Sequence, residues 1–434
     1  MDSPPTKKQA WFGWCMYDWA NSGFATVVLS AVLPVYFVAL VPADGALISL
    51  FGWQRLIPAA ALWGYAVSLS MLLVAITAPY LGALADRKNL HRKFLIFCCL
   101  IGAFATGLLF FAKPGMYMVA TLLFIIANIG FAGGNVFYNA FLPKLAANHE
   151  LDKLSSRGFA FGYIGGGVAL LVVFAMIMGY SSLGFTDKGA ATRAGFLLTG
   201  IWWLLFAIPT FRYVRIRSSP ILPQTLHKGI KGYFKTLSEI KNYPNLFLFL
   251  IAFLFYNDGI QTIIVVAAIF GRQELALSQG TVLACFLMIQ FVAMPGTLLF
   301  GRLAENIGAK KSLYITLIMF ICVTVYAYFM NKAWEFWLLG FIIAIILGGS
   351  QAVSRSLFCS LIPDGKHAEF FGFYAISAKF ASVLGPFIFA LITQLTGSAR
   401  LSILSLTGFF VIGIILLSAV DTSQQQNLSL RKVQ

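Results

Sequence analysis

A compact charged turn occurs twice in this chain, at a spacing of 219 residues, and each copy joins two long apolar runs. The first copy, GALADRKNLHRK, begins at Gly82, and the second, GRLAENIGAKK, begins at Gly301. A repeated turn between long apolar segments indicates a duplicated bundle of membrane helices. Bundles of this kind move solutes when one half rocks against the other, so the repeat favours transport.

Hydrophobic residues make up 59% of the 434 residues and charged residues only 11%, whereas a soluble domain has about 25% charged residues. Twelve apolar runs approach or exceed the roughly 20 residues that a membrane-spanning helix needs. The alternating strands of an outer-membrane barrel are absent from the pattern. We therefore predict an all-α polytopic membrane protein with twelve transmembrane helices in two pseudo-symmetric six-helix bundles. Spans 1 to 12 are predicted at residues 12–40, 58–84, 93–112, 115–141, 157–180, 193–211, 245–270, 279–300, 312–330, 335–360, 369–393 and 400–420.

The repeat extends beyond the charged turn. The string NSGFAT from Asn21 in span 1 aligns with NDGIQT from Asn257 in span 7, and strings in spans 4 and 10 align in the same way. The longest polar stretch, which is basic, separates the two sets of six spans. We predict an N-terminal bundle at 1–211, a basic linker at 212–244 and a C-terminal bundle at 245–434. Part of the linker, 226–241, has the composition of a basic amphipathic helix on the membrane surface.

The net charge of +16 reflects an uneven placement of Lys and Arg around the spans. If the N-terminus is cytoplasmic, 23 of the 31 basic residues fall on the cytoplasmic side, 7 fall on the opposite side, and Lys379 lies inside a helix. Short cytoplasmic loops retain Lys and Arg. The charge therefore predicts that both termini are cytoplasmic and that the bilayer, not nucleic acid, is the charged partner.

Apart from the first residue of a span, four charged residues fall within the predicted spans: Asp18, Asp258, Arg355 and Lys379. A charge deep in the bilayer costs at least about 2.5–3.5 kcal/mol, so such residues are candidates for the substrate or proton pathway. Alternative interpretations stay open. Asp258 and Lys379 could form a static ion pair, Asp18 could be an interfacial residue, and Arg355 could extend to the membrane surface.

Amides add a second set of candidates. Asn128, Asn135 and Asn139 share one face of span 4, which favours either substrate contact or interhelical hydrogen bonds. Glycines at 162 and 165–167 in span 5 predict close helix packing and sliding between the two halves. The full predicted substrate or proton pathway comprises Asp18, Asn21, Asn128, Asn135, Asn139, Asn257, Asp258, Gln261, Gln351, Arg355 and Lys379.

The chain shows no spacing typical of a metal site or a nucleophile–base pair. Its four histidines lie in loops, and its six cysteines lie in apolar segments without zinc or redox spacing. We therefore expect no enzymatic activity, no cofactor and no metal. A small-molecule substrate, with protons as a candidate coupling ion, is the expected partner of a monomeric chain.

Several strings resemble a known family. They are the charged turn after span 2, YDWANS from Tyr17, GFAFGYIGGG from Gly158, SRSLF from Ser354 and FFGFY from Phe370. The 6+6 plan with these strings resembles the "unknown major facilitator" branch of the major facilitator superfamily, which includes the autophagy-related vacuolar amino-acid effluxers. The resemblance covers essentially the whole chain. It implies a cavity lined by spans 1, 4, 7 and 10, and the compact length favours a bacterial inner-membrane member.

The charged turns are predicted to act as a conformational latch. Asp86 is expected to sit at a helix N-terminus in one state and to be released in the other. The predicted latch residues are Gly82, Asp86, Arg87, Arg92, Gly301, Arg302 and Glu305.

These observations predict a secondary active transporter that works by alternating access and exports a small polar or zwitterionic metabolite, with amino acids suggested by the resemblance. Lys379 and Arg355 would bind a carboxylate, whereas Asp258 and Asp18 would bind an ammonium group or carry a proton. Two alternatives remain open: a multidrug or lipid extruder, suggested by the 42 phenylalanines, and a non-transporting membrane sensor on the same scaffold.

Overall fold

A computed structural model describes residues 5–50, 53–146, 151–214, 243–362, 374, 377–378 and 380–421. Eleven of its helices are long and apolar enough to cross a membrane, and a shorter apolar helix lies in span 11. Most of the predicted linker lies outside the described residues. Spans 1 to 10 are Lys7–Leu40, Ala59–Lys88, His91–Leu108, Tyr117–Asn139, Leu151–Met178, Lys188–Tyr213, Pro244–Gln273, Gln279–Ile307, Ala309–Phe329 and Ala333–Leu361, followed by Leu384–Thr396 in span 11 and Ala399–Ser418 as span 12.

Successive spans run in opposite directions and so define two faces. We call the face where span 1 begins at Lys7 the N-terminal face, and the other the opposite face. A short antiparallel hairpin, β1 (Ala46–Leu50) and β2 (Trp53–Ile57), joins spans 1 and 2 at the opposite face. The sequence did not predict this hairpin, because the segment is too short to stand out from a loop.

Span 1 changes its winding in the middle of the membrane. Residues Phe24–Ala31 form a π-helical segment between two α-helical parts. Ser30 Oγ donates a 2.8 Å hydrogen bond to the carbonyl oxygen of Ala25, five residues earlier, as the wider winding allows. Gln290 of span 8 donates a long 3.4 Å hydrogen bond to Thr26 Oγ1 in this segment. The contact with span 8 places this segment at the boundary between the halves. Because π-helical segments frequently occur at functional sites, this part of span 1 is a candidate functional region.

The internal repeat is visible in how the two charged turns fold. Asn89, with φ of 53°, and Gly308, with φ of 92°, are 219 residues apart and both adopt positive φ. Arg92 Nη2 then donates to the carbonyl oxygen of Phe211 at the end of span 6, at 2.6 Å. Lys310 Nζ donates to the carbonyl oxygen of Val420 just after span 12, also at 2.6 Å. In each half a basic side chain thus satisfies free carbonyl oxygens at the end of the last span.

Glycines of span 5 allow it to pack tightly on span 1. A Cβ at Gly165 would lie 2.6 Å from the carbonyl oxygen of Trp19, and one at Gly162 would lie 2.8 Å from Ser22 Oγ. Gly166 approaches Thr26 of span 1 more closely still. The prediction of close packing is confirmed. Its placement between the halves was wrong for these three glycines, because span 1 belongs to the same half.

At the opposite face, hydrogen bonds join the two halves directly. Trp63 Nε1 in span 2 donates to the carbonyl oxygen of Val265 in span 7 at 2.8 Å, and both groups are buried. Ser68 Oγ, also in span 2, donates to the carbonyl oxygen of Val383 at 2.9 Å. The structure therefore has the two halves closed against each other at the opposite face.

Candidate functional site

Asp18 lies eleven residues into span 1, about 16 Å from the N-terminal face. Its Oδ2 accepts a 2.6 Å hydrogen bond from the Tyr138 hydroxyl in span 4. Gly158 of span 5 makes room for this carboxylate, since a Cβ there would lie 2.5 Å from the same oxygen. The side chain is only partly buried. An acidic group that is bonded yet accessible at this depth fits a ligand-binding residue.

Arg355 brings a positive charge from the other half to the same region. It lies six residues before the end of span 10, about 9 Å from the N-terminal face. Its guanidinium carbon lies 4.7 Å from the centroid of the Phe159 ring in span 5. Phe159 directly follows Gly158, so the guanidinium and the Asp18 carboxylate lie against adjacent residues of span 5. The structure thus brings two predicted site residues of opposite charge together across the boundary between the halves.

The amides of the N-terminal half form bonds between spans. Asn21 Nδ2, one turn after Asp18, donates to Asn135 Oδ1 in span 4 at 2.8 Å. Asn128 Nδ2 donates to Ser70 Oγ in span 2 at 2.7 Å and is buried. Asn139, at the end of span 4, is exposed. The Asn21–Asn135 pair therefore lies next to Asp18, whereas Asn128 mainly joins spans 2 and 4.

A similar contact joins spans 7 and 10 in the C-terminal half. The hydroxyl groups of Tyr256 and Ser354 lie 2.7 Å apart, with both side chains buried. Ser354 directly precedes Arg355 and helps to fix the position of this part of span 10. Of the other predicted pathway residues, Asn257 is buried, Gln261 and Gln351 are partly buried, and Lys379 lies outside the described residues.

Asp258 occupies a different environment from Asp18. It has no exposed surface, and neither carboxylate oxygen has a hydrogen-bond partner of good geometry in the described structure. Residues 381–383 form a turn, so the helix of span 11 restarts at Leu384 inside the membrane. The backbone N–H groups of Gly385 and Leu384 lie near the carboxylate. A helix N-terminus there stabilises a negative charge on Asp258.

The predicted latch residues lie at the N-terminal face, away from this cluster. Gly82 and Gly301 have open space where a Cβ would lie, and Arg302 is exposed. Arg92 bonds to span 6 of its own half, as described above. The side chains of Asp86, Arg87 and Glu305 lie outside the described part of the structure.

Comparison with known proteins decides the family. A model of the vacuole effluxer Atg22-like family matches residues 6–428. The chain belongs to this Atg22-like family. The chain is also 36% identical over 422 residues to the uncharacterized MFS-type transporter YxiO of Bacillus subtilis, covering 95% of this chain and 96% of the relative. Autophagy-related protein 22 of Coccidioides immitis is 24% identical over 520 residues, which span 92% of this chain and 84% of that protein.

Solved structures of major facilitator transporters have the same fold as this Atg22-like chain. A bacterial homolog of the human lysosomal transporter Spinster, in an inward-facing and unoccupied conformation, aligns with a TM-score of 0.67, 16% identity and coverage of 96% and 97% of the two chains. The nucleoside transporter NupG aligns with a TM-score of 0.65, 15% identity and coverage of 95% and 99%. The family match, the MFS-type relative and this shared fold together make the chain a polytopic membrane protein of the major facilitator type, whose relatives are transporters.

Some residues around this site of the Atg22-like chain were not predicted. Tyr138 binds Asp18, Phe159 contacts Arg355, and Ser70 binds Asn128. Tyr138 lies in the polar stretch of span 4, one residue before Asn139, which is the signal that could have revealed it. Phe159 carries no such signal, because a phenylalanine in a membrane span is usually ordinary apolar bulk.

Proposed function

We propose that this transporter moves a small zwitterionic metabolite, such as an amino acid, by alternating access between its two bundles, residues 1–211 and 245–434. The Arg355 guanidinium binds the carboxylate of the substrate, and the Asp18 carboxylate binds its ammonium group. The observation that carries the proposal is the placement of these opposite charges on different halves, near the same wall of span 5.

The surroundings of the two charges support a zwitterion over a purely apolar solute. The Asp18 carboxylate keeps Oδ1 for a further donor, because the Tyr138 hydroxyl contacts Oδ2. An arginine presents five N–H donors in a planar fork that matches a carboxylate. A site built from such polar groups strongly favours a substrate that can pair with them, since unmatched buried polar groups are costly. The name of the matching family, a vacuole effluxer, agrees with export.

Uptake into proteoliposomes tests the proposal. We expect the purified full chain to accumulate one or more members of an amino-acid panel, and to leave xylose and the lipophilic cation ethidium at the level of empty liposomes. Asp18→Asn keeps the size of the side chain and its acceptor for Tyr138 but removes the charge, so uptake should fall about tenfold or more. Transport of ethidium without any zwitterion would instead support the multidrug alternative.

Asp258 is proposed as the proton carrier of the same cycle. The side chain is wholly buried, where an isolated charge without water is strongly unfavourable, whereas the N-terminus of the helix that begins at Leu384 lies beside it and attracts negative charge. A group under these two opposing influences can gain and lose a proton as the halves move. Lys379, Asn257, Gln261 and Gln351 remain proposed pathway residues.

We propose that the charged turns control the exchange between states. In this proposal Asp86, Arg87 and Glu305 change partners while Gly82 and Gly301 permit close approach, and Arg92 and Arg302 supply positive charge nearby. The open space beside both glycines is compatible with such movement.

Both termini are proposed to be cytoplasmic, in a bacterial inner membrane, on the strength of the 23-to-7 distribution of basic residues. In a cysteine-free background, Lys8→Cys at the N-terminal face and Ser181→Cys at the opposite face are both exposed positions. We expect a membrane-impermeant thiol reagent added to whole cells to label position 181 and to spare position 8. Labelling of position 8 alone would show that the chain has the opposite orientation in the membrane.

A further inference from the structure

A polar cavity lies at the opposite face, well away from Asp18 and Arg355. Its volume is about 550 Å³, and it lies between the end of span 1, the start of span 6 and the connection between spans 7 and 8. This volume is within the range of about 300–1,000 Å³ for small-molecule sites. Both halves contribute to its wall, so a ligand there would touch the N-terminal and the C-terminal bundle at once.

Three basic side chains line this cavity: Lys113, Arg193 and Arg272. The predicted topology leaves seven basic residues on this face, so the cavity collects nearly half of them. None of the three forms a salt bridge in the described part of the chain. Arg193 Nη1 donates to the Tyr36 hydroxyl at 3.2 Å, and Arg272 Nη1 donates to the carbonyl oxygen of Leu277 at 2.8 Å. Neutral acceptors thus orient both guanidinium groups.

Asp187 is the acidic residue of the cavity wall, and its carboxylate is already engaged. Oδ1 accepts a 2.8 Å hydrogen bond from the Ala190 N–H and so caps span 6. This backbone hydrogen bond, the Thr186 hydroxyl and the nearby Arg193 hold the pKa of Asp187 below its usual value. One carboxylate faces three basic groups, so the cavity keeps an excess of positive charge.

We propose that this cavity binds a small, water-soluble multivalent oxyanion, one that carries phosphate or carboxylate groups. Two arginine forks and a lysine ammonium are the groups that recognise such oxygens. A cleft lined by one sign of charge also raises the local concentration of ions of opposite sign.

The position of the cavity gives the bound anion a mechanical effect. Gln279 Nε2 in span 8 donates to Thr192 Oγ1 in span 6 at 3.2 Å, so the wall of the cavity includes a hydrogen bond between the halves. Without an anion, Arg193 and Arg272 repel each other across this boundary. An oxyanion between them replaces the repulsion by two attractions, and so stabilises the state in which the opposite face is closed.

Direct binding to the purified full chain tests this site independently of transport. Radiolabelled pyrophosphate is the probe in equilibrium dialysis, and pyrophosphate or citrate is the additive in thermal unfolding, with sodium chloride matching the ionic strength. We expect saturable pyrophosphate binding, and a rise in Tm that saturates with at least one of the two anions. Lys113→Gln and Arg272→Gln should each weaken binding on the order of tenfold. Arg55→Gln, an exposed basic residue of the hairpin on the same face, is the matched control and should bind like wild type.

The alternatives give different results. Equal weakening in Arg55→Gln and Arg272→Gln, or no saturable binding above the salt control, would overturn the site. Stabilisation by phosphatidylglycerol in nanodiscs, with no response to either soluble anion, would assign the basic cluster to a lipid headgroup and contradict the proposal. Because neither readout involves Asp18 or Arg355, failure here leaves the proposed transport activity standing, and failure of transport leaves this site standing.

Discussion

Arg355→Gln is expected to reduce uptake of the zwitterionic substrate at least about tenfold, because it removes the charge that binds the carboxylate. Glutamine keeps a polar side chain at the end of span 10, although a shorter one without charge, so the expected loss is one of binding. Initial rates in proteoliposomes over a range of substrate concentrations measure it. The loss should appear mainly as a higher KM, since the interaction is made in the bound state.

The matched control for this variant is Arg212→Gln. Arg212 is an exposed arginine at the N-terminal face, whose guanidinium lies 5.7 Å from the Tyr213 ring. It has the same charge and lies on the same face but outside the proposed site. We expect substrate uptake by Arg212→Gln to match uptake by wild type. If both variants lost uptake to the same extent, the effect would come from surface charge, and Arg355 would not be a substrate ligand.

Asp258→Asn is expected to abolish accumulation driven by a proton gradient while leaving exchange of labelled for unlabelled substrate intact. Asparagine imitates the neutral carboxyl but cannot release a proton. Because the wild-type carboxyl is wholly buried, where a neutral group is tolerated better than a charge, the neutral substitute should fold normally. Its Tm should stay within roughly 2 °C of wild type, the shift expected for a stability change below about 1 kcal/mol.

Glu274→Gln provides the control for the Asp258 prediction. It makes the same type of change directly after the same span, at the opposite face, where Glu274 Oε2 forms a 3.2 Å salt bridge with Arg400 Nε. Losing this partly buried pair should lower Tm but leave gradient-driven accumulation intact. Asp258→Asn should therefore lose gradient-driven accumulation but keep its Tm, whereas Glu274→Gln should keep accumulation but have a lower Tm. Full accumulation by Asp258→Asn would remove this residue from the proton pathway.

The sequence predicted those parts of the fold that depend on local composition. The length of an apolar run is a property of neighbouring residues, so the predicted span 2 at 58–84 corresponds to the helix Ala59–Lys88. The 219-residue repeat likewise anticipated the matching turns at Asn89 and Gly308. The hairpin between spans 1 and 2 escaped prediction because its strands are held by pairing with each other, not by a strong pattern within either.

The site was harder to predict, because its contacts join residues far apart in the sequence. Asp18 stood out as a charge in an apolar segment, but its bond to Tyr138 crosses 120 positions. The restart of the helix at Leu384 beside Asp258 depends on the packing of span 11 on span 7, which no local string shows. The glycines of span 5 indicated close packing correctly, yet only the folded chain shows that their partner is span 1.

Binding of a zwitterion and of its carboxylate-free amine analogue, by wild type and by Arg355→Gln, tests the central claim most directly. The zwitterion is the one that gives the highest uptake, and affinities are measured by isothermal titration of the purified chain. Removing the carboxylate should weaken binding to wild type about tenfold or more, but should change binding to Arg355→Gln little, because the partner is already gone. An equal loss of affinity in both proteins would contradict the pairing of Arg355 with the substrate carboxylate.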